Sequence, residues 1–320
     1  MELMKIIIFI ITLAAVLLLV VYYSASIIKE RIYATRNKRR LQLIASQGED
    51  METVSVNVQI DSGNSILAYA SQIIGTRNEQ QDSFFVSDCG EFDLLKKSYV
   101  VAAVCDGMGG LSSGADASRL AIECIKRETN AYFASDEPKN IPEFLKNIAI
   151  KANELVYGYG VENGGGQCGT TMVLTIFENN RLYWLSVGDS RIYVIRNGKI
   201  IQITNDHNYA YLLEQRVKEG LITREEAMAE RNREALISFI GISELDIIDL
   251  CNAPIELEKG DIVLLCSDGL YKVMTDEEIC EYVNENKDDP EALARNLPSE
   301  SFDRNNGSQD NTTVAVVCYK

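Results

Sequence analysis

Four short apolar runs separated by tight turns follow one another between residues 171 and 203. They occupy 171–177, 181–187, 191–195 and 199–203, and Asn197-Gly198 separates the last two. An Asn-Gly pair between two such runs favours a type I′ turn, which joins antiparallel strands. Because consecutive hairpins need no crossover helices, this region predicts an antiparallel sheet and argues against a doubly wound nucleotide-binding fold.

Outside residues 171–203, the pattern of apolar side chains predicts both strands and helices. Further strands are predicted at 54–60, 67–74, 83–86 and 99–105, from alternating or continuous apolar side chains. Apolar residues recur at helical spacing in 117–125 and, behind a proline at position 142, in 144–155. Residues 205–245 are predicted to be helical and polar, with Gly220 as a helix stop, and to form a flap.

Three aspartate-bearing loops adjoin strongly apolar runs. Asp106-Gly107 ends the first run, Asp268-Gly269 ends the second, and Asp310 precedes the third. A buried strand closed by Asp-Gly delivers a carboxylate at its end. Carboxylate and carbonyl oxygens are the ligands of Mg²⁺ and Mn²⁺, and a glycine turn can add its own carbonyl. Each pair alone is an ordinary turn former, but together the three predict one acidic metal site.

Charge separates the first 40 residues from the rest of the chain. The formal net charge is −16, and residues 1–40 hold seven basic and two acidic side chains, so they contribute +5 and leave −21 for the remainder. A globular part this acidic cannot neutralise phosphates, which excludes nucleic acid as the expected partner. It suits metal cations better.

Residues 6–28 contain no charged side chain. As a helix of 23 residues, this segment would span about 35 Å, enough for a hydrocarbon core of about 30 Å. Six of the next twelve residues, 29–40, are basic, and the positive-inside rule places the carboxyl-terminal part in the cytoplasm. We therefore predict a single-pass cell-membrane protein.

The predicted organisation is a transmembrane anchor at 1–28, a basic juxtamembrane linker at 29–52 and one catalytic domain at 53–320. A cleavable signal peptide is the competing interpretation, because Ser24-Ala25-Ser26 resembles a cleavage site. The long apolar segment and the basic cluster behind it favour the anchor.

Cysteine and histidine usage excludes several kinds of catalysis. None of the eight cysteines forms a Cys-x-x-Cys pair, and none is followed six positions later by arginine. This pattern predicts small buried side chains in a reducing compartment and excludes the phosphocysteine loop of thiol phosphatases. The single histidine, His207, excludes histidine-rich metal centres.

Seven motifs in order resemble the metal-dependent protein serine/threonine phosphatases of the 2C type, particularly the compact bacterial ones. They are GTRNEQQDSF at 75–84, DGMGG at 106–110, GTT at 169–171, VGDSR at 187–191, TNDH at 204–207, CSDGL at 266–270 and GSQDNTT at 307–313. The resemblance covers about residues 63–320. It implies an α+β fold, a four-layer α-β-β-α sandwich of two antiparallel sheets flanked by helices, here preceded by the transmembrane helix.

The resemblance also implies a centre of two Mn²⁺ or Mg²⁺ ions. Asp106 would bridge both ions, the Gly107 carbonyl and Asp268 would bind one, and Asp310 would bind the other. Asp82 would orient the attacking water. Two cations at this spacing activate water and offset charge on phosphoryl oxygens, so no covalent enzyme intermediate is needed.

Four further positions receive expectations from the resemblance. Arg77 would clamp the phosphate with its planar fork, where a solvated surface arginine is the alternative. Asp189 and Asp268 would hold a third, looser ion, or Asp189 would simply bond its own backbone. Lys272 stands where many members place another aspartate near that third ion. His207 matches a position that is usually structural.

The implied function is hydrolysis of phosphoserine and phosphothreonine in proteins. Its expected partners are phosphorylated proteins, a counteracting serine/threonine kinase, and the membrane through residues 6–28. The alternative is a catalytically weak or inactive pseudophosphatase that acts as a membrane-tethered scaffold.

Overall fold

The computed structural model describes residues 54–59, 64–88, 99–109, 113–135, 140–164, 168–305 and 308–320. The strands are β1 (Val54–Gln59), β2 (Ser65–Ile73), β3 (Asp82–Asp88), β4 (Tyr99–Gly109), β5 (Cys168–Thr170), β6 (Met172–Glu178), β7 (Arg181–Val187), β8 (Arg191–Arg196), β9 (Lys199–Gln202), β10 (Asp249–Leu250), β11 (Ile255–Glu256), β12 (Ile262–Cys266) and β13 (Thr312–Tyr319). The helices are α1 (Ser113–Ala134), α2 (Ile141–Gly164), α3 (Tyr209–Lys218), α4 (Arg224–Ala229), α5 (Asp268–Tyr271), α6 (Asp276–Asn286) and α7 (Pro290–Arg304).

Two antiparallel sheets form the centre of the fold. One has the strand order β1-β2-β13-β12-β8-β9, and the other has the order β10-β7-β6-β4-β3, with β11 beside β7 and β5 beside β4. Helices α1 and α2 contact strands of the second sheet, while α7 contacts β2 and β13 of the first. The predicted pair of antiparallel sheets flanked by helices is therefore confirmed.

The core has two parts, which are separated by the first sheet. Along β12, Val263 and Leu265 pack into the cluster between the sheets, and Leu264 faces the cluster that includes α6 and α7. Both faces of this strand are covered, which is why its sequence is continuously apolar and does not alternate. Strand β4 is likewise buried from Tyr99 to Cys105 and becomes accessible at Asp106. The two sheets thus expose polar groups at the strand ends.

Two of the predicted hairpins are confirmed, since β6 pairs with β7 and β8 pairs with β9 in antiparallel register. The predicted hairpin between them was wrong: β7 lies in the second sheet and β8 in the first, so the turn at 188–190 carries the chain from one sheet to the other. At the β8–β9 turn, Asn197 and Gly198 have φ angles of 52° and 75°. Positive φ at both central residues is the requirement of a type I′ turn.

The prediction of a helical segment over 205–245 was largely wrong. Only α3 and the short α4 are helical there, and Gly220, with φ of 71°, follows α3 as the predicted stop. The remainder is irregular because its backbone bonds outside the helical pattern: Ile240 pairs with Thr170 of β5, and Leu236 pairs with Asn208 near the start of the segment. Tertiary hydrogen bonds override the helical tendency of the local sequence.

The predicted anchor and linker, residues 1–28 and 29–52, lie outside the described residues. Within the part of the chain that the structure describes, no helix has the length and apolar character needed to cross a bilayer. Seven cysteines fall in that part; all seven are buried, and none of them forms a disulfide. They behave as the small apolar side chains that the sequence predicts.

Candidate metal centre

Asp82 and Asp106 lie directly opposite each other on neighbouring strands. Asp82 is the first residue of β3, and the antiparallel register pairs it with Asp106 near the end of β4. Two carboxylates in a cross-strand pair repel each other when both are charged. Burial, reinforced by Asp268 and Asp310, raises the pKa of Asp82 to about 7. Desolvation and the neighbouring Asp82 also raise the pKa of Asp106 well above its usual range.

The first sheet donates hydrogen bonds to Asp82 of the second. Ser267, directly after β12, and Thr313, in β13, each donate a side-chain hydroxyl to Oδ2 of Asp82 at 2.7 Å. The other oxygen, Oδ1, is buried and accepts no hydrogen bond from the described residues. A buried carboxylate oxygen without a donor is costly unless a cation or an ordered water satisfies it.

The backbone of Asp106 is fixed by the β5–β6 segment. Its N–H donates to the hydroxyl of Thr171 at 2.9 Å, and its carbonyl accepts from the Thr171 N–H at 2.8 Å and the Thr170 hydroxyl at 2.9 Å. These bonds fix the backbone from which the Asp106 side chain projects at the end of a buried strand, and such a fixed backbone suits a residue that positions a ligand.

Gly107 occupies a place that no other residue fits. A β-carbon there would lie 2.1 Å from the carbonyl oxygen of Gly114 and 2.5 Å from that of Gln81. Its N–H also donates to the Gln81 carbonyl at 3.1 Å. The absence of a side chain lets the start of α1 and the loop before β3 approach β4.

Asp310 and Asp268 each pair with a basic side chain. Nη2 of Arg77 lies 2.5 Å from Oδ2 of Asp310, and Nζ of Lys272 lies 2.6 Å from Oδ2 of Asp268. Within the described residues, no group of three or more His, Cys, Asp or Glu side chains is arranged to hold an ion by itself. The predicted ligands are a mixed set of carboxylates and one carbonyl, Gly107, and these hard oxygen donors suit Mn²⁺ or Mg²⁺.

Asp189 is buried in the turn between β7 and β8, with 6% of its surface exposed. Burial and the nearby Asp268 raise its pKa to about 6, while Lys272 and the backbone of Asp189 itself oppose that shift. The hydroxyl of Tyr271 donates to the Asp189 carbonyl at 2.9 Å. Asp189 therefore belongs to the same electrostatic cluster as Asp268 and Lys272.

Sequence reasoning missed several residues that build the site. Asn311 accepts from the Gln81 N–H at 2.8 Å and donates to the carbonyls of Ile74 and Glu79 at 2.9 and 3.1 Å. It thereby closes the loop that carries Arg77. Ser267, Thr313 and Tyr271 were also missed, although each lies within a few residues of a predicted ligand.

His207 is buried and lies outside the aspartate cluster. The imidazole Nδ1 of His207 accepts from the Gly188 N–H at 3.2 Å, and the backbone N–H of His207 donates to the Gly188 carbonyl at 2.9 Å. These bonds hold the turn that precedes Asp189, so the histidine has the structural place that the sequence predicts.

The geometry agrees with what comparison with known proteins shows. The family model for protein phosphatase 2C matches residues 74–298. The chain belongs to the protein phosphatase 2C family. Protein phosphatase PhpP of Streptococcus pneumoniae is 30% identical over 248 residues, which cover 76% of this chain and 92% of that protein.

Solved structures of the family share the fold. The serine/threonine phosphatase PstP/Ppp of Mycobacterium tuberculosis superposes with a TM-score of 0.62 at 28% identity, covering 79% of this chain and 98% of that one. A structure of the catalytic domain of PstP in complex with two manganese ions gives a TM-score of 0.62 at 28% identity, with coverages of 80% and 99%.

Proposed function

We propose that the chain is a serine/threonine protein phosphatase that uses two divalent cations, Mn²⁺ or Mg²⁺, held by Asp106, Gly107, Asp268 and Asp310. Membership of the protein phosphatase 2C family and the phosphatase activity named for its relatives support the activity. The inactive-scaffold alternative is not favoured. The observation that carries the metal proposal is the junction of the two sheets, where Asp82 and Asp106 face each other across β3 and β4 and loops from the other sheet supply Asp268 and Asp310.

Each residue has a distinct proposed role at this junction. Two bound cations would supply Lewis acidity and a water of lowered pKa. Asp82 is held by Ser267 and Thr313 through Oδ2, and its Oδ1, which accepts no hydrogen bond from the described residues, would orient the attacking water. Arg77 is 59% exposed and pairs with Asp310. Its planar fork would hold two phosphoryl oxygens of the substrate with two hydrogen bonds.

Asp189 and Asp268 are the candidate ligands of a third ion. Asp268 raises the pKa of Asp189, which supports their proximity. The ammonium group of Lys272 already pairs with Asp268, however, and its positive charge opposes the binding of a third metal ion at that carboxylate. We therefore propose two core ions and leave Asp189 open to either role, a ligand of a third ion or a turn residue bonded to its own backbone.

We further propose that residues 6–28 anchor the protein in the cell membrane, and that residues 53–320 act in the cytoplasm on phosphorylated proteins. The charge-free segment and the basic residues after it support this arrangement. A serine/threonine kinase would supply the phosphorylated proteins.

A phosphopeptide turnover assay tests the proposal. Chelator should abolish hydrolysis, added Mn²⁺ should restore it, and Asp106→Asn should lose nearly all of it while retaining its fold by circular dichroism. Full activity of a metal-stripped sample, or of the Asp106→Asn variant, would refute the two-ion proposal.

A further inference from the structure

A groove with a volume of about 690 Å³ opens beside the metal centre. Three basic side chains line it, Arg77, Lys272 and Arg304, whereas Asp310 is its one acidic lining residue. We refer to it as the basic groove. Basic side chains outnumber acidic ones among its described lining residues, whereas residues 41–320 carry a formal charge of −21. The three cations are paired with Asp310, Asp268, Glu278 and Glu300, so an anionic ligand would bind through the N–H donors that these pairs leave unused.

Two of the three basic side chains that line the groove also contact proposed metal ligands. Arg77 and Lys272 pair with Asp310 and Asp268, the proposed metal ligands, and remain 59% and 45% exposed. A carboxylate that binds a divalent cation has less negative charge to share with a basic side chain. Ligation at Asp268 and Asp310 therefore leaves Arg77 and Lys272 more available to anions in the groove.

Arg304 supplies the third cation from a different element. It lies in the last turn of α7 and is 37% exposed. Its Nε donates to Glu300 at 2.7 Å and its Nη1 donates to Glu278 at 3.0 Å, and neither glutamate lines the groove. These bonds use two of the five guanidinium donors, so donors remain for a ligand. Neither of these two hydrogen-bond partners is a proposed metal ligand.

We infer that the basic groove binds a second anionic side chain of the substrate, near the phosphorylated residue that is hydrolysed. The preferred substrates are protein segments in which a phosphoserine or phosphothreonine is flanked by a carboxylate or by another phosphate. Arg304 is the specificity-determining residue, and it acts on substrate binding and not on the chemical step. This inference rests on the proposed function, because it assigns the groove to the substrate of that site.

The experiment uses the full chain in detergent with Mn²⁺ and peptides that carry one phosphothreonine. Glutamate is placed in turn at each neighbouring position, and a matched series carries glutamine. In a third series, a non-hydrolysable phosphoserine analogue replaces the glutamate. At one or more positions glutamate should raise kcat/KM about fivefold over glutamine, the factor given by about 1 kcal/mol from a screened ion pair. The gain should lie in KM and shrink with added salt.

Substitutions then assign the preference to the groove. Arg304→Gln should remove most of it, and Arg304→Lys should keep most of it because the charge remains. Arg127→Gln is the matched control, since Arg127 is 41% exposed, pairs with Glu128 and lies on α1 outside the groove. Arg127→Gln should keep the full preference. Thermal unfolding of each variant verifies that it is folded.

The outcomes separate the inference from the proposed function. Equal kcat/KM for the glutamate and glutamine peptides at every position would overturn the inference, as would a preference that survives unchanged in Arg304→Gln. Failure of the proposed function would instead leave every peptide unhydrolysed. A stronger gain with the phosphoserine analogue than with glutamate would identify doubly phosphorylated segments as the ligand, and equal gains would identify acidic segments.

Discussion

At the scale of single residues, the two oxygens of Asp82 have different surroundings. Oδ2 accepts two hydroxyl hydrogen bonds, whereas Oδ1 is buried and accepts none from the described residues. Burial raises the pKa of Asp82 from 3.8 to about 7. The folded protein therefore binds this proton more tightly than the unfolded chain. The stability that the proton contributes is complete below pH 4 and is lost as the pH rises through 7.

We expect the free energy of unfolding, measured in chelator, to fall between about pH 4 and pH 7 by on the order of a few kcal/mol from this group. The difference between the wild-type protein and Asp82→Asn reports the contribution of Asp82 together with the effect of its charge on the pKa of Asp106, while carboxylates outside this cluster titrate in both proteins. Urea unfolding across this pH range measures it. A pH dependence that is the same in both proteins would contradict the raised pKa of Asp82.

Arg77 differs from a lysine in geometry more than in charge. Its guanidinium is planar and can give a phosphoryl group two parallel hydrogen bonds, which an ammonium cannot. Arg77→Lys should therefore lower kcat/KM for a phosphopeptide by about tenfold, the factor that about 1.4 kcal/mol of lost binding produces. The change should fall mainly on KM. Unchanged kinetics in Arg77→Lys would show that only the charge at this position matters.

At the scale of secondary-structure elements, the approach of β4 to α1 depends on Gly107. A methyl group there would overlap the backbone of Gly114 and of Gln81, at 2.1 and 2.5 Å. Gly107→Ala should therefore displace the end of β4 and lower the free energy of unfolding by about 2 to 3 kcal/mol, with loss of activity. Gly158→Ala in α2 is the matched control, because a β-carbon there meets nothing within 4 Å.

The control has the opposite expected sign. Gly158→Ala should raise the free energy of unfolding by about 0.5 to 1 kcal/mol, since alanine has a better helix propensity than glycine. Thermal and urea unfolding of the two variants measure both effects. A Gly107→Ala protein as stable and active as the wild type would show that the start of α1 can move away from β4 without consequence.

The sequence predicts elements well where the information is local. The hairpin at Asn197-Gly198 follows from its own turn chemistry, and the helix stop at Gly220 follows from a single glycine. The irregular course of residues 230–248 does not follow from the local sequence, because it depends on long-range pairings such as that of Ile240 with Thr170. Likewise, the hydroxyls that hold Asp82 come from residues 185 and 231 positions away. Motif order indicates that such loops meet, but not which hydroxyl bonds which carboxylate.

At the scale of the whole molecule, the candidate site joins two sheets that are otherwise packed through apolar side chains. Asp82 of one sheet is bonded by Ser267 and Thr313 of the other, and Arg77 from the loop after β2 reaches Asp310 before β13. Polar groups fix the relative position of the sheets at this end, while the apolar cluster between them supplies most of the stabilisation. Since the proposed ligands come from both sheets, the site exists only in the folded domain.

The amino-terminal segment adds a property that the catalytic domain does not need. Residues 6–28 are without charge and are followed by a basic cluster, so we expect the full chain to fractionate with membranes. A chain lacking residues 1–28 should remain soluble and hydrolyse a phosphopeptide at the same rate, because no proposed site residue lies before Arg77. Fractionation of both forms in a bacterial host, followed by the peptide assay, measures this.

The mass of the membrane-bound form distinguishes the anchor from a cleaved signal peptide. An anchor keeps residues 1–28, whereas cleavage near Ser24-Ala25-Ser26 would remove most of them and release the remainder. Protease added outside spheroplasts should leave the catalytic domain intact, if the basic cluster places it on the cytoplasmic side as proposed. Degradation under those conditions would place the domain outside, where the reduced state of its seven buried cysteines would have to survive an oxidising environment.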